Sequence, residues 1–272
     1  MENEAPRAKA RGFLERNTEP RLQSGRMYKK GKVYIIGAGP GDWKLISVKG
    51  LEKLKKADVI LYDFLATDEL LRFAKKNARV ICVGKRDGMH LKEQHEINKL
   101  LFKYARSGKS VVRLKGGDPF LFSRGIEEAL YLKNKGIDFE IIPGITSAFA
   151  APESFGIPLT KKGRFSSVAV LTGRKSNGEK LDAPRCDTLI YLMAVGNIKK
   201  VVKAVIESGR DKDSPCAVIE RGTTSGERIV TGRLDTIAEL ADRFSVRPPG
   251  IFIVGKVVGY GRRIYEHKYK KR

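Results

Sequence analysis

Short apolar runs alternate with amphipathic segments from residue 31 onward, and several of these runs end directly in glycine. The clearest example is the predicted strand 32–36, which is followed at once by the turn 37–42, Gly-Ala-Gly-Pro-Gly-Asp. Alternation of this kind is typical of α/β folds, in which helices cover the faces of a mostly parallel sheet. The other elements predicted in the first half are strands at 59–62, 80–83, 110–114 and 139–142, and helices at 45–54, 97–104 and 124–135. In the first of these helices, apolar residues at three-residue spacing from Leu45 to Leu54 predict one face against the sheet.

The second half of the chain has a different pattern. Strands are predicted at 167–171, 188–192, 217–220, 228–230 and 251–254, with helices at 197–207 and 234–243. The short connection between the third and fourth of these strands contains Gly222 and Gly226, which predicts a hairpin and therefore a mixed sheet. The expected fold class is α/β, with two α/β domains, a mostly parallel first sheet, a mixed second sheet and the active site in the cleft between them. The expected boundaries are a basic tail at 1–30, domains at 31–144 and 145–260, and a second basic tail at 261–272.

Composition narrows the classes of function. The chain carries 54 Lys and Arg against 31 Asp and Glu, a net charge of +23, which favours a polyanionic ligand without saying which one. No apolar run approaches the roughly 20 residues of a membrane span, and the N-terminus lacks the apolar core of a signal peptide. The few residues that could form disulfides or hold a metal are widely spaced: Cys82, Cys186, Cys216, His90, His95 and His267. We therefore expect a cytoplasmic protein with no metal centre and no membrane partner.

The turn 37–42 invites comparison with dinucleotide-binding loops, because a strand precedes it, a helix follows it and the next strand ends at Asp63. It departs from that pattern in two ways. Asp42 occupies the position of the last glycine, and Pro40 removes a backbone N–H that a phosphate would need. We therefore favour a tight turn that lines a cleft over a phosphate-binding loop.

A second glycine turn follows the fourth predicted strand. Its pair, Gly116 and Gly117, lies at the carboxyl end of that strand, where glycine lets a ligand approach the backbone and where α/β sheets usually bind ligands. The basic residues around it, Arg113, Lys115 and Arg124, could hold substrate carboxylates through charge-assisted hydrogen bonds. An ordinary turn from strand to helix explains the spacing equally well.

Two further groups of residues are expected at the same edge of the sheet. Small residues at 143–148 open a helix; they could expose its first N–H groups to a ligand or pack closely between the domains, and the two roles are compatible. Asp63 and Lys85 each follow an apolar strand, so a carboxylate and an amine beside the cleft could exchange protons with a substrate. Taken alone, these two residues favour a simpler role, in a salt bridge or a helix cap.

Seven short segments of the chain share the order and spacing of one known family. They are 33–42, 61–63, 83–86, 113–120, 143–146, 156–160 and 247–249. Together they resemble the tetrapyrrole (corrin/porphyrin) methylases over residues 31–260, and the strings Leu-Lys-Gly-Gly-Asp-Pro-Phe and Val-Gly-Lys-Arg are the most specific of them. The sequence departs from the family in carrying Lys161-Lys162 where the family usually has His-Arg.

The resemblance implies S-adenosylmethionine as methyl donor, bound between the two domains and released as S-adenosylhomocysteine. The residues that the family pattern assigns to this cofactor are Pro40, Gly116, Gly117, Asp118, Leu121, Thr146, Ser147, Met193 and Gly222. The same pattern makes Asp63 the proton acceptor and Lys85 the proton donor. It also implies a homodimer.

Within the family, the resemblance is to the members that methylate uroporphyrinogen III. It implies two successive methylations, on rings A and B, which give precorrin-2 for sirohaem or corrinoid (cobalamin) biosynthesis. This substrate carries eight carboxylates, so a cleft containing Arg86, Arg113, Lys115 and Arg124 would suit it.

Two other classes of function remain open. The basic composition fits an RNA-binding protein or an RNA methyltransferase, although the sequence has no recognisable RNA-binding module. Steeply salt-dependent affinity for structured RNA would support that alternative. A dinucleotide-dependent oxidoreductase is the third hypothesis, and it predicts binding of NAD. We favour a small-molecule tetrapyrrole over nucleic acid as the partner.

Overall fold

The computed structural model describes residues 30–65, 68–84, 93–175 and 179–270. Within these residues the chain forms two five-stranded sheets, one in each half, with helices packed on them. The strands are β1 (Lys32–Gly37), β2 (Val59–Tyr62), β3 (Arg79–Cys82), β4 (Val111–Lys115), β5 (Asp138–Ile142), β6 (Val168–Thr172), β7 (Thr188–Leu192), β8 (Pro215–Glu220), β9 (Arg228–Arg233) and β10 (Gly250–Val254). The helices are α1 (Val48–Lys56), α2 (Asp68–Leu71), α3 (Gln94–Arg106), α4 (Gly125–Asn134), α5 (Ser147–Ser154), α6 (Ile198–Glu207), α7 (Ile237–Arg243), α8 (Val258–Ile264) and α9 (Glu266–Lys270).

The first sheet has the strand order β3-β2-β4-β1-β5, and each of these pairings is parallel, as the sequence predicted. Its central strand, β4, is buried along its whole length although it contains two basic residues. Because parallel strands run in one direction, their carboxyl ends meet at one edge of the sheet. That edge carries the glycine turns after β1 and β4 and the carboxylate of Asp63 after β2.

The first helix begins later than predicted. The Ser47 side chain caps α1, because its Oγ accepts a hydrogen bond from Gly50 N at 3.1 Å. Leu45 belongs instead to a separate 3₁₀ turn, and Val48 is 76% exposed. Leu54 is fully buried. The prediction of one apolar face against the sheet is therefore confirmed at Leu54 and wrong at Val48.

The second sheet has the strand order β6-β7-β10-β8-β9. Strands β6 and β7 are parallel, and the other three pairings are antiparallel. The predictions of a mixed sheet and of a hairpin, here β8 and β9, are therefore confirmed. Its core includes the fully buried rings of Tyr191 and Phe252, whose centroids lie 6.2 Å apart.

The C-terminal segment that was expected to be a basic tail is folded over its described part, as α8 and α9. Lys268 Nζ donates hydrogen bonds to Ser154 O and to Glu227 Oε1, both at 2.7 Å. The Tyr269 hydroxyl donates to Phe155 O at 3.0 Å. Because these bonds hold α9 against the end of α5, the prediction of a basic tail is wrong over the described part of 261–272.

Other expectations stay open at this level. The N-terminal segment 1–29 lies outside the described residues, and the domain boundary at residue 144 stays a prediction, whereas α8 runs across the predicted boundary at residue 260. Among the helices in the described ranges, none has the length and apolar character needed to cross a membrane.

Candidate active site

Three glycines from three different turns meet at the carboxyl edge of the first sheet. Gly37 ends β1, Gly117 follows β4 and Gly144 follows β5. A Cβ atom on Gly37 would lie 2.5 Å from Gly144 Cα, and one on Gly144 would lie 2.3 Å from Gly117 O. Gly117 N donates to Gly39 O at 2.7 Å, and Gly39 N donates to Gly117 O at 3.3 Å. Because Gly37 and Gly39 pack on other main chain, the turn at 37–42 fits the predicted tight turn better than a phosphate-binding loop.

Gly117 is packed on one side and open on the other. Its φ is 66°, and a Cβ built on it would have no other heavy atom within 4 Å. Gly116, by contrast, packs against the loop after β2. The Asp118 carboxylate ties the turns after β4 and β5 together, since Oδ1 accepts from Phe120 N at 2.8 Å and Oδ2 accepts from Gly144 N at 3.2 Å. Over Gly117 there is open space in which a ligand can approach the backbone.

A loop from the second half of the chain closes on the first glycine turn. A Cβ on Gly41 would lie 3.0 Å from Thr223 Oγ1, and Asp42 N donates to the same hydroxyl at 3.2 Å. Gly222 packs on α5, where a Cβ would lie 2.4 Å from the nearest side chain. The structure therefore brings the loop between β8 and β9 together with the turn after β1.

The other residues predicted to bind the cofactor lie at the ends of elements. Thr146 caps α5 through Oγ1, which accepts a backbone hydrogen bond at 3.2 Å, and Ser147 is the first residue of that helix. Met193 follows β7 with a φ of 57° and is 49% exposed. Pro40 and Leu121 are half-buried in their turns. Contact of these residues with a cofactor stays a prediction.

A cluster of four charged side chains lies under the same edge of the sheet. Two of them, Arg113 and Lys115, lie on β4, while Asp63 follows β2 and Glu128 lies in the first turn of α4. Arg113 donates from Nη2 to Asp63 Oδ1 at 2.6 Å and from Nε to Glu128 Oε1 at 3.1 Å. Lys115 Nζ donates to Glu128 Oε1 at 3.3 Å. Two cations and two carboxylates make the cluster neutral.

The sequence predicted that Arg113 and Lys115 line the cleft, but in the structure both residues are buried beneath the sheet edge. Arg113 is 2% exposed and Lys115 is 4% exposed, and both cations are paired with carboxylates of the chain itself. The reason is the alternation of side chains along β4, which places both residues on the same face as Val111, within the core that packs against α4. We therefore do not retain either residue as a direct substrate contact.

The charges in this cluster stabilise one another. Burial acts to raise the pKa of Glu128, but the charges of Arg113 and Lys115 outweigh it and hold that pKa below its usual range. Burial acts to lower the pKa of Arg113, but the carboxylates of Glu128 and Asp63 hold it above its usual range. Burial and the neighbouring charge of Arg113 lower the pKa of Lys115. Arg113 and Glu128 are thus both charged inside the core.

Sequence reasoning did not single out Glu128, which the structure places at the centre of the cluster. Its Oε1 also accepts from Gln94 Nε2 at 3.2 Å, while Oε2 is buried without a hydrogen-bond partner among the described residues. Helical spacing could have found it, because Glu128 lies on the buried face of α4 with Gly125, Ala129 and Leu132. An acidic residue at such a position requires a specific partner.

The remaining predicted residues differ in how far the structure describes them. Lys85 and Arg86 lie outside the described residues. Arg124 is exposed and donates to the carboxylate of Glu127, from Nε at 2.9 Å and from Nη2 at 2.6 Å. The Asp63 side chain is 28% exposed, so this carboxylate reaches from buried Arg113 to the surface of the sheet edge.

The described residues offer carboxylates, cations and main chain for chemistry at this edge. Within the ranges that the structure covers, no three His, Cys, Asp or Glu side chains are grouped so that they could hold a metal ion. Burial raises the pKa of the Cys216 thiol, which makes it a poor nucleophile.

Comparison with known proteins identifies the family to which this chain is similar. The chain matches the family model of the Tetrapyrrole (Corrin/Porphyrin) Methylases over residues 32–238. A uroporphyrinogen-III C-methyltransferase of Methanocaldococcus jannaschii is 48% identical over 234 residues, which cover 84% of this chain and 97% of that protein. The enzyme of the same name from Bacillus subtilis is 44% identical over 250 residues, or 89% of this chain and 97% of that protein. The crystal structure of uroporphyrin-III C-methyltransferase from Thermus thermophilus, complexed with S-adenosylhomocysteine, has a TM-score of 0.72 and 39% identity, covering 84% of this chain and 99% of that one. The chain therefore belongs to the tetrapyrrole (corrin/porphyrin) methylases, as its sequence motifs predicted.

Proposed function

We propose that this protein transfers two methyl groups from S-adenosylmethionine to carbon atoms of uroporphyrinogen III and so forms precorrin-2. The main observation in support is that one sheet edge combines open main chain at Gly117 with a carboxylate, Asp63, held by buried Arg113. Relatives at 44–48% identity carry the name of this reaction. The product would enter sirohaem or corrinoid biosynthesis.

The residues around Gly117 fit the cofactor. The space that a Cβ would fill there is open, so a ligand can approach the main chain of Gly117 closely. Ile145 and Met193, 44% and 49% exposed, offer apolar surface for a ring system. When bound, S-adenosylmethionine supplies a methyl group already activated by the sulfonium charge and leaves as S-adenosylhomocysteine. The residues proposed to hold it are Pro40, Gly116, Gly117, Asp118, Leu121, Thr146, Ser147, Met193 and Gly222.

Asp63 is the proposed proton acceptor. Transfer of a methyl group to a pyrrole carbon adds a positive charge to the ring system, which is balanced when the macrocycle loses a proton, and a carboxylate fixed beside the ring can take that proton. Arg113 fixes the Asp63 carboxylate at the sheet edge through the 2.6 Å bond to Oδ1. Because that guanidinium is also bound in the core, the carboxylate keeps its position while the substrate changes.

The charge of the chain suits this substrate. A net charge of +23 favours a ligand with eight carboxylates, and it also speeds the encounter between the two. Since Arg113 and Lys115 are paired in the core, Arg86 and Arg124 are the cations proposed to bind substrate carboxylates. Lys85 is the proposed proton donor. We propose that the enzyme acts as a homodimer in the cytoplasm.

The test is methyl transfer from labelled S-adenosylmethionine with uroporphyrinogen III and structured RNA offered side by side. Anaerobic conditions keep the tetrapyrrole reduced. The expected result is label in the tetrapyrrole and a product heavier by two methyl groups. Label in RNA with none in the tetrapyrrole would favour the RNA methyltransferase instead, and label in neither would reject both.

A further inference from the structure

The buried carboxylate of Glu128 is linked to the proposed proton acceptor, Asp63, through the guanidinium of Arg113, which bonds to both. It has no exposed surface, and its Oε1 accepts bonds from Arg113 Nε, Lys115 Nζ and Gln94 Nε2 at 3.1 to 3.3 Å. Burying a carboxylate is unfavourable unless its partners compensate, so its presence needs a reason in what it holds. The first turn of α4 supplies both a rigid support and a helix dipole that favours the anion.

We propose that Glu128 is a positioning residue for methyl transfer. Its carboxylate holds the Arg113 side chain so that Nη2 of Arg113 is presented to Asp63. The planar guanidinium is fixed in three directions. Nε points to Glu128, Nη2 points to Asp63, and Nη1 donates to Leu114 O at 3.2 Å. Asp63 therefore takes its orientation from a carboxylate in the core. This inference rests on the proposed function, because it gives Glu128 a part in that reaction.

The charge of Glu128 matters as well as its shape. Among the described residues, the Lys115 ammonium is bonded to no other carboxylate. Neutralising Glu128 leaves one excess positive charge in a cluster that is otherwise neutral, directly beside Asp63. Arg113 then has one anionic partner in place of two, so its guanidinium is held less firmly and Asp63 loses its fixed orientation.

The test compares three variants with the wild-type protein. Glu128→Gln keeps the shape and one acceptor oxygen but removes the charge. If Glu128 only filled space, this variant would have the wild-type kcat. We expect kcat to fall roughly 10- to 100-fold, because misplacing a catalytic group by about 1 Å is enough for such a loss. The KM for uroporphyrinogen III and the Kd of S-adenosylhomocysteine should change by less than about 2-fold, since fully buried Glu128 cannot touch either ligand.

Glu128→Asp and Glu140→Gln complete the comparison. Glu128→Asp keeps the charge on a shorter side chain, so kcat should fall several-fold, less than in Glu128→Gln, with KM unchanged. Glu140 is a matched control, because it is also bound by two cations, Lys32 at 3.1 Å and Lys49 at 2.5 Å, but on the outer strand β5. Glu140→Gln should leave kcat at the wild-type value.

Several results would overturn the proposal. They are wild-type kcat in Glu128→Gln, an equal loss in Glu140→Gln, or a change in KM or Kd with kcat intact. If Glu128→Gln does not fold, wild-type kcat in Glu128→Asp would also overturn it. A wild-type protein that transfers no methyl group to uroporphyrinogen III would contradict the proposed function instead.

A measurement that does not depend on turnover separates a failure of the Glu128 proposal from a failure of the proposed function. The Nε–H proton of Arg113, observed by ¹⁵N NMR, should exchange slowly with water in the wild type, because it donates to a fully buried carboxylate. We expect exchange at least about tenfold faster in Glu128→Gln, as charge-assisted hydrogen bonds are roughly twice as strong as neutral ones. Equal exchange rates in the two proteins would show that Glu128 does not hold Arg113.

Discussion

Glycines at the edge of the first sheet have two different duties. Gly37 and Gly144 are needed for packing, because a Cβ on either would lie within 2.6 Å of main-chain atoms of the other turn. Gly117 is needed for its left-handed backbone and for the space above it. Substitution at the first two therefore tests folding, while substitution at Gly117 tests the site.

Gly117→Ala is expected to weaken cofactor binding. The added methyl group enters the open space where we propose the cofactor binds, so the Kd of S-adenosylhomocysteine in calorimetry should rise about tenfold or more. Gly163→Ala is a matched control, because Gly163 also has a positive φ, 76°, and no heavy atom within 4 Å of a Cβ. Both variants should lose about 1 kcal/mol of stability from backbone strain. Equal affinity in the two variants would contradict the placement of the site.

Asp63→Asn is expected to slow turnover while cofactor binding is retained. The amide cannot accept the proton in the proposed step, so kcat should fall roughly 100-fold or more. Asp58→Asn is the control at the other end of β2, where the carboxylate accepts from Lys75 Nζ and from Ser110 N at 2.8 Å. That variant should lose stability and keep its kcat. Loss of cofactor binding in Asp63→Asn would make Asp63 a structural residue.

At the scale of elements, α9 completes the second half of the molecule. Lys268 is 31% exposed and binds both α5 and the loop before β9, so Lys268→Ala removes two hydrogen bonds from a partly buried carboxylate and a carbonyl. We expect a loss of about 1–2 kcal/mol in the free energy of unfolding, measured with urea. Lys203→Ala is the control, because its side chain is 77% exposed, and it should change the free energy of unfolding by less than about 0.5 kcal/mol. Equal stability of the two variants would mean that α9 is not held by these bonds.

Strand β5 is joined to β1 and α1 by an acid-sensitive ion pair. Hydrogen bonds from Lys49 and Lys32 lower the pKa of Glu140 from 4.5 to about 2. Because the folded-state pKa is the lower one, the stability from this carboxylate is complete above pH 4.5 and is lost as the pH falls toward 2.

Glu140→Gln should therefore unfold more easily at neutral pH, by about 1 kcal/mol once screening at this partly exposed site is allowed for. The difference from wild type should shrink as the pH falls from 4.5 toward 2. Urea unfolding at several pH values checks this. A difference that stays constant over that range would show that the carboxylate does not titrate as described.

At the scale of the whole molecule, the sequence predicted local elements well and distant partners poorly. Strands β2 and β7 have the predicted bounds, because short apolar runs between polar breaks determine them locally. The burial of Arg113 depends on Glu128, a carboxylate fifteen residues away on another element. The packing of α9 likewise depends on Ser154, more than a hundred residues before Lys268. Such pairs form only when the sheets and helices have packed, so no local sequence pattern predicts them.

We propose that the methyl donor binds the open main chain at Gly117, between the turn after β1 and the start of α5. The most direct measurement is a crystal structure of this protein with S-adenosylhomocysteine. We predict that the ligand lies against the backbone of Gly116 and Gly117, with Thr146 and Met193 beside it. Ligand bound elsewhere while the space over Gly117 stays filled only by solvent would contradict it.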